Sequence, residues 1–222
     1  MHDDGRMIPR EPLGDRAPRP DRPDSAPPVT AVVLAGGTSR RFGGAHDDKL
    51  DAPLGARSLL EATLASLPTS WPVIVVGPPR AVTHRQVTWV QEDPPLGGPA
   101  AALARALDVA AGEWIAVLAG DTPRGGHALP DLLDAALTAR TTSTPGSDGA
   151  VAVVDGHRQP LLAVYRADAL IAACRAVGDP AGASMRALLA SLDLIETPVD
   201  PRDARDVDTV DDLAFHRARG AS

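Results

Sequence analysis

Cysteine and aromatic residues are scarce in this sequence of 222 residues. Cys174 is the single cysteine, which excludes an internal disulfide framework and favours a reducing compartment. Aromatic side chains make up 3% of the chain, although 44% of its residues are hydrophobic. Because large rings are so few, we expect a core built mainly from Ala, Val and Leu.

Long apolar runs and an excess of basic residues are also missing. No stretch approaches the length that crosses a membrane, and the first residues lack the apolar core of a secretory signal. We therefore expect a cytoplasmic protein that does not bind membranes. The formal net charge of −7 argues against a general nucleic-acid-binding protein, although it leaves room for a local basic patch.

Three common catalytic and cofactor-binding motifs do not occur. The sequence has no Gly-Lys-Ser/Thr, which argues against a P-loop NTPase, and no His-Glu-x-x-His metal motif. No Gly-x-Gly-x-x-Gly follows the first predicted strand, which argues against a dinucleotide-binding Rossmann domain. Any chemistry must therefore depend on a different arrangement of residues.

The chain divides into a polar tail and one folded domain. Residues 1–28 are rich in Pro, Arg and Asp and have few apolar side chains, so they cannot bury enough surface to offset the entropy lost on folding. We predict that residues 1–28 form a disordered tail and that residues 29–222 form a single domain. Within that domain, residues 141–149 are predicted to be a flexible loop.

Short apolar runs alternate with helical stretches along the predicted domain. The runs lack polar alternation, which is typical of strands in a mostly parallel sheet that is covered on both faces. Alternating strands and helices predict an α/β fold with right-handed crossovers. Strands are predicted at residues 29–35, 72–76, 86–90, 114–119, 150–154, 159–165 and 194–199, and helices at residues 58–67, 99–110, 129–139, 168–176, 184–192 and 209–217.

The loop after the first predicted strand is the most informative segment. Gly36 and Gly37 follow an apolar strand, and Ser39, Arg41 and Lys49 come shortly after them. Adjacent glycines allow backbone N–H groups to approach a ligand closely, and the basic side chains add fixed positive charge. In an α/β sheet, ligands bind beyond the carboxyl ends of the strands, where this loop begins. The segment therefore indicates a site for a polyphosphate.

An aspartate is predicted to reach the same edge of the sheet. Asp121 follows the buried strand at residues 114–119, where a carboxylate suits Mg²⁺, a cation that takes one or two carboxylates together with phosphate oxygens. An aspartate in this position could instead cap the following turn. Beside a phosphate-binding loop we favour the metal. Further along, Thr209 and Asp212 have the spacing of an N-terminal capping box.

The glycine loop resembles the signature of the MobA-like nucleotidyltransferases, which reads approximately L-A-G-G-x-S-x-R-[MF]-G followed by a lysine. One departure is the longer and more acidic stretch at residues 45–48, which precedes the lysine. Weaker family patterns occur in the same order at residues 92–103, 121–123 and 206–213. The residues that match the signature are Leu34, Ala35, Gly36, Gly37, Ser39, Arg41, Phe42, Gly43 and Lys49.

The resemblance implies a fold and roles for individual residues. The fold would be a Rossmann-like three-layer α/β/α sandwich with a mostly parallel sheet, of the nucleotide-diphospho-sugar transferase type. Arg41, Lys49 and Asp121 would be catalytic, and Asp121 with Asp208 would hold Mg²⁺. The residues that would bind the nucleotide are Leu34, Ala35, Gly36, Gly37, Ser39, Arg41, Lys49, Gly77, Asp93, Gly98 and Asp121.

The resemblance also implies a reaction. The favoured one is transfer of GMP from GTP to the molybdenum cofactor, molybdopterin, which gives the guanine dinucleotide form and pyrophosphate. Gly97, Gly98 and Pro99, followed by small residues, are more typical of the guanylyl than of the cytidylyl enzymes. The alternatives are CMP transfer to the same cofactor and nucleotidyl transfer to another phosphorylated small molecule, such as phospholactate.

A hypothesis of another class is a non-catalytic nucleotide-binding module that keeps the fold. The longer loop before Lys49 permits this hypothesis, whereas the joint presence of Lys49, Asp93, Asp121 and Asp208 argues against it. The predicted tail would also allow transient contact with cofactor-handling or molybdoenzyme-maturation proteins. Its composition does not identify one.

Overall fold

The computed structural model describes residues 27–36, 48–92, 95, 97–142 and 147–219. For Val210 and residues 217–219 it describes the backbone alone. The predicted tail lies outside these residues except for its last two positions, and so does the middle of the loop predicted at residues 141–149.

The described residues form a seven-stranded sheet in the order β5-β4-β1-β6-β8-β7-β9. Only β8 runs antiparallel to its neighbours among these strands, so the predicted, mostly parallel sheet is confirmed. A separate hairpin consists of two short strands, β2 (Pro53–Leu54) and β3 (Arg57–Ser58). The strands of the main sheet are β1 (Val29–Leu34), β4 (Val73–Val76), β5 (Thr88–Val90), β6 (Trp114–Ala119), β7 (Gly149–Val154), β8 (His157–Arg166) and β9 (Leu194–Pro198).

The predicted helices are present with shifts of a few residues at their ends, apart from one that is divided. The helix predicted at residues 184–192 ends after one turn and continues as a 3₁₀ turn over Leu189–Ser191. The longest helix has 13 residues, and no helix in the described part of the chain is long and apolar enough to cross a membrane. The helices are α1 (Leu59–Ser66), α2 (Pro99–Leu107), α3 (Leu129–Thr141), α4 (Ala167–Val177), α5 (Met185–Leu188) and α6 (Val210–Arg219).

The two faces of the sheet pack against different helices. In β1, Ala31 and Val33 belong to the core that includes α1 and α3, whereas Val32 belongs to the core that includes α2 and α4. Successive side chains of a strand point to opposite faces, so an uninterrupted apolar strand can contribute to both cores. The three-layer α/β/α sandwich is therefore confirmed, with its cores built largely from Ala, Val and Leu.

Three parallel strands end side by side at one edge of the sheet. Leu34, the last residue of β1, is paired with Val76 of β4 on one side and with Ala119 of β6 on the other. Backbone hydrogen bonds extend this register past the strands, because Gly120 N–H donates to the Leu34 carbonyl at 2.9 Å. The segments that follow these strands therefore begin as neighbours, at the edge where α/β sheets bind ligands.

Candidate active site

The segments that leave β1 and β4 are in direct contact, and a glycine permits it. Ala35 N–H donates to the Val76 carbonyl at 2.7 Å. Gly77 has a φ of +144°, and a Cβ atom at this position would lie 2.7 Å from the Ala35 carbonyl oxygen. A side chain at position 77 would therefore push the two segments apart. The structure gives Gly77 a packing role, and its contact with a nucleotide stays a prediction.

The turn after β6 is held from two sides. Thr63 of α1 donates its hydroxyl to the Gly120 carbonyl at 2.8 Å. On the other side, Val207 N–H donates to the Asp121 carbonyl at 2.9 Å, and the Val207 side chain is fully buried. Because Val207 is anchored in this way, the acidic residues on either side of it, at positions 206 and 208, are brought to the end of β6.

The ammonium group of Lys49 lies between two carboxylates at this edge. Its Nζ is 2.6 Å from Asp121 Oδ2 and 2.9 Å from Asp208 Oδ1. Burial lowers the pKa of Lys49, but hydrogen bonds and charge from Asp121 and Asp208 outweigh burial and raise that pKa above its ordinary value. Lys49 is therefore charged at neutral pH. The structure brings together three residues that the sequence predicts to act together.

A third carboxylate adds to the negative charge around Lys49. The pKa of Asp206 is raised by burial and then by the charges of Asp208 and Asp121, which outweigh the attraction of Lys49. Two aspartates therefore contact Lys49, and the charge of a third acts on all three residues.

Asp121 and Asp208 fit the donor set that Mg²⁺ prefers when it binds with a phosphate ligand. Both carboxylates converge on one position, since Lys49 Nζ lies within 2.9 Å of each. In the described part of the chain, no group of three or more His, Cys, Asp or Glu is arranged to hold a metal ion by itself. Mg²⁺ commonly takes one or two carboxylates and completes its coordination with phosphate oxygens and water. A nucleotide would therefore have to supply the remaining ligands.

Arg80 contacts this edge and does not stand out in the sequence. It lies in the segment after β4, where its Nη1 donates to the Ala35 carbonyl at 3.2 Å and its Nη2 forms an ion pair with Asp48. The side chain is only 8% exposed. The signal that could have identified Arg80 is its position, a basic residue shortly after the carboxyl end of a buried parallel strand.

The remaining predicted residues either lie along this edge or fall outside the described ranges. A Cβ atom at Gly36 would lie 3.7 Å from Oε1 of Glu92, a buried carboxylate behind the loop. Gly98 is the N-cap of α2 with a φ of +91°, which explains a glycine there by conformation. The predicted site residues outside the described ranges are Gly37, Ser39, Arg41 and Asp93.

A cavity of about 1080 Å³ lies beside the turn that carries Asp121. Its lining includes Arg124, three residues after Asp121, and continues to Arg57 and Arg202. Among the described residues that line it, the three arginines outnumber the single carboxylate, Glu61. Arg124 is paired with Asp203 and Arg202 with Asp200, so the lining is balanced in charge, and the volume of the cavity suits a molecule of moderate size.

The chain is similar to several solved structures. Molybdopterin-guanine dinucleotide biosynthesis protein A from Archaeoglobus fulgidus is 20% identical with a TM-score of 0.65, over 86% of this chain and 98% of that one. 2-C-methyl-D-erythritol 4-phosphate cytidylyltransferase from Thermus thermophilus is 20% identical with a TM-score of 0.61, over 86% and 98% of the two chains. A homologue of Mycobacterium tuberculosis Rv0371c from Mycobacterium sp. strain JC1 is 26% identical with a TM-score of 0.62, over 86% and 95%.

These structural similarities establish the fold, and a match to a sequence family establishes the family to which the chain belongs. A comparison with curated protein sequences gives no significant match. A family described as the MobA-like NTP transferase domain matches residues 31–195, about three quarters of the chain, including β1 with its carboxyl end, Lys49 and Asp121. The chain therefore belongs to the MobA-like NTP transferase family and is a nucleotidyltransferase.

Proposed function

We propose that this nucleotidyltransferase transfers GMP from GTP to the phosphate of molybdopterin in the molybdenum cofactor. The products are the guanine dinucleotide form of the cofactor and pyrophosphate. The observation that carries the proposal is the position of Lys49, whose ammonium group contacts Asp121 and Asp208 at the edge where three parallel strands end. A cation and two carboxylates at this edge are suited to phosphoryl chemistry.

The reaction is an in-line displacement at the α-phosphorus of the nucleotide. A phosphate oxygen of the acceptor forms the new P–O bond, while the bond from the α-phosphorus to the bridging oxygen breaks and pyrophosphate leaves with the electron pair. Little covalent chemistry is asked of the protein, so positioning and charge neutralisation account for the rate.

The chain's own residues would divide this work between binding and charge neutralisation. The backbone at Leu34, Ala35 and Gly36 would face the nucleotide. Lys49 would move from its carboxylate partners towards the phosphates and stabilise the charge that develops on pyrophosphate. The residues that would hold the phosphates before reaction are Gly37, Ser39 and Arg41.

Asp121 and Asp208 would hold Mg²⁺ together with the bound nucleotide. The metal would neutralise phosphate charge and polarise the reacting phosphorus. The support for this assignment is geometric, because both carboxylates lie within 2.9 Å of the same ammonium group.

Two observations support the choice of base and acceptor. The small residues at positions 97–103 resemble the guanylyl type of the family, and one similar structure carries the name of a molybdopterin-guanine dinucleotide biosynthesis protein. The cavity beside Asp121 has room for a phosphate-bearing acceptor and is lined by Arg57, Arg124 and Arg202. The similar cytidylyltransferase shares the fold to almost the same degree, so the base must be determined by experiment.

The test is a competition assay with purified protein, Mg²⁺, molybdenum cofactor, and GTP and CTP at equal concentrations, with products identified by mass spectrometry. We expect the guanine dinucleotide to exceed the cytosine dinucleotide by at least tenfold. A cytosine product in excess would overturn the choice of GTP and leave the reaction class intact.

A second assay separates a different acceptor from a protein without activity. If neither dinucleotide forms, pyrophosphate release is measured with GTP and CTP against a panel of phosphorylated acceptors that includes phospholactate. Pyrophosphate release with one of these acceptors would identify that acceptor as the substrate in place of molybdopterin. Nucleotide binding without release for any acceptor would contradict catalysis and support a non-catalytic nucleotide-binding module.

A further inference from the structure

Arg80 joins the two ends of the glycine-rich loop, which leaves β1 at Ala35 and returns at Asp48. On one side its Nη1 donates to the Ala35 carbonyl oxygen at 3.2 Å. On the other side its Nη2 is paired with the Asp48 carboxylate, and its Nε lies 3.6 Å from Asp51 Oδ1. One planar guanidinium therefore spans both ends of the segment that contains the family signature.

The contact between Arg80 and Asp48 also affects the position of Lys49. Asp48 uses its second carboxylate oxygen to accept a hydrogen bond from Leu50 N–H at 3.0 Å, which caps the 3₁₀ turn at Lys49–Asp51. Leu50 is buried, so this short turn is fixed against the core. The direction in which Lys49 leaves the backbone therefore depends on Asp48, and the orientation of Asp48 depends on Arg80.

The guanidinium N–H groups of Arg80 donate hydrogen bonds to other atoms of the protein. Nη1 also donates to the Pro78 carbonyl at 3.1 Å, so the guanidinium is fixed to the end of β4 as well. With only 8% of its side chain exposed, Arg80 is poorly placed to bind a phosphate itself. Its acidic partner, Asp48, is the last residue of the acidic stretch before Lys49.

We propose that Arg80 is a positioning residue of the nucleotide site, which holds Ala35 and Asp48 together and thereby places Lys49 for catalysis. This inference rests on the catalytic role proposed for Lys49. It predicts that Arg80 acts on turnover through Lys49 and makes no contact with the substrate.

The chain offers a matched control in Arg85, a second arginine of the same loop. Arg85 is partly buried and donates to the carbonyls of Leu64, Leu67, Pro68 and Trp71. These carbonyls lie at the end of α1 and before β4, at the opposite edge of the sheet from Lys49. Loss of Arg85 would affect packing, as loss of Arg80 would, without touching the glycine-rich loop.

The first test compares Arg80→Gln with Arg85→Gln in the full chain, using steady-state pyrophosphate release. Because a displacement of about 1 Å at a catalytic group can cost about 100-fold, we expect kcat to fall roughly 10- to 100-fold for Arg80→Gln and less than about threefold for Arg85→Gln. The double variant Lys49→Ala/Arg80→Gln should be less than about threefold slower than Lys49→Ala alone. Independent, multiplying losses would contradict the proposal and favour direct phosphate binding by Arg80.

Arg80→Lys keeps the charge but cannot span Ala35 and Asp48, so it should lose most of the activity that Arg80→Gln loses. It also serves as the test if Arg80→Gln does not fold. Near-normal turnover of either Arg80 variant, with a large loss for Lys49→Ala, would refute the positioning role and leave the proposed function intact.

A readout independent of activity is amide hydrogen exchange at Leu50. Exchange should be at least tenfold faster in the Arg80 variants and unchanged in Arg85→Gln, because Asp48 would no longer be held as the cap. Unchanged exchange at Leu50 would refute the proposal. If Lys49→Ala itself retains normal turnover, the proposed function of Lys49 fails, and the exchange result alone then decides whether Arg80 fixes Asp48.

Discussion

Two groups of carboxylates lie near the carboxyl edge of the sheet and differ in the partners around them. The first group consists of Asp121, Asp206 and Asp208, which surround Lys49. The second group has one member, Glu61, which lies in the first turn of α1. Glu61 accepts from the N–H and hydroxyl of Thr83 at 3.0 and 2.9 Å.

Neutral donors satisfy Glu61 almost completely. It also accepts from Ser58 N–H at 3.3 Å, and the Ser58 hydroxyl accepts from Glu61 N–H, so the two residues form a capping box. Hydrogen bonds from Thr83, first from its backbone and then from its side chain, lower the pKa of Glu61 from 4.5 to about 2, with smaller contributions from Ser58 and His84. The carboxylate form of Glu61 is therefore strongly favoured in the folded protein.

The pKa of Glu61 is lowered and the pKa of Asp206 is raised. This difference distinguishes a carboxylate that stabilises the fold from carboxylates that serve the reaction. The folded protein stabilises the charge of Glu61 and destabilises the charge of Asp206. A charge that the fold satisfies contributes to stability, whereas a surplus of like charge is costly unless a ligand uses it. We therefore expect substitutions around Lys49 to change activity and substitutions at Glu61 to change stability.

The largest effect is expected at the centre of the first group. Lys49→Ala and Asp121→Ala should each lower kcat by roughly 100- to 1,000-fold, because each removes charge that acts on the reacting phosphates and a single stabilising donor is typically worth that much. Pyrophosphate release at saturating GTP measures the loss. Stability should change by only about 1 kcal/mol, as for other partly exposed ion pairs.

Glu61→Gln is the control for those two variants. It changes one carboxylate near the same edge, and kcat at saturating acceptor should stay within about twofold of the original protein, although KM for the acceptor can change because Glu61 lines the cavity. Near-normal turnover of Lys49→Ala or Asp121→Ala would show that the first group does not serve catalysis. A large loss of kcat in Glu61→Gln would show that Glu61 is not purely structural.

The second effect is on stability. Glu61→Gln should lower the free energy of unfolding at pH 7 by about 1 to 2 kcal/mol, because it weakens the capping box and the charged hydrogen bonds to Thr83. The measurement is urea unfolding at several pH values.

The pH dependence of this loss follows from the direction of the pKa shift. The folded pKa of Glu61 is about 2 and lies below its ordinary value of 4.5. Its stabilising contribution is therefore present above about pH 4.5 and is lost as the pH falls towards 2. The difference in the free energy of unfolding between the original protein and Glu61→Gln should decrease over this pH range. A gap independent of pH would mean that the charge of Glu61 does not stabilise the fold.

Local sequence patterns account for the fold and for the residues at the centre of the site. The apolar runs that became β1, β4 and β6 predicted parallel strands, and the positions of the glycine loop and Asp121 after two of these strands predicted that both lie at the same edge of the sheet. These predictions succeed because each strand carries its own periodicity and because parallel strands end at a common edge.

Contacts between distant residues account for what the sequence did not reveal. Arg80 lies 45 residues from Ala35 and 32 from Asp48, and Thr83 lies 22 residues from Glu61. No local periodicity encodes such pairs, because they depend on how the segments after β1 and β4 cross at the sheet edge. For the same reason the sequence identifies Asp206 as acidic without revealing that Asp208 and Asp121 raise its pKa.

The smallest effect provides the sharpest contrast between the two groups. Asp206→Asn removes a charge that the fold disfavours and keeps the shape of the side chain. We expect the free energy of unfolding in metal-free buffer at pH 7 to rise by about 0.5 kcal/mol. The value is small because neighbouring groups only partly desolvate the Asp206 carboxylate, and solvent still reaches the residue and screens its charge.

The folded pKa of Asp206 lies above its ordinary value, so the original protein loses stability as the pH rises from about 3.9 through the folded pKa. The advantage of Asp206→Asn should therefore be complete at neutral pH and disappear in acid, whereas the disadvantage of Glu61→Gln narrows below pH 4.5 and is lost only towards pH 2. Urea unfolding of both variants at pH 7 and pH 3.5 measures the two signs side by side. A loss of stability in Asp206→Asn at pH 7 would mean that Lys49 compensates for the charge of Asp206, and that the first group has no surplus for a metal ion to neutralise.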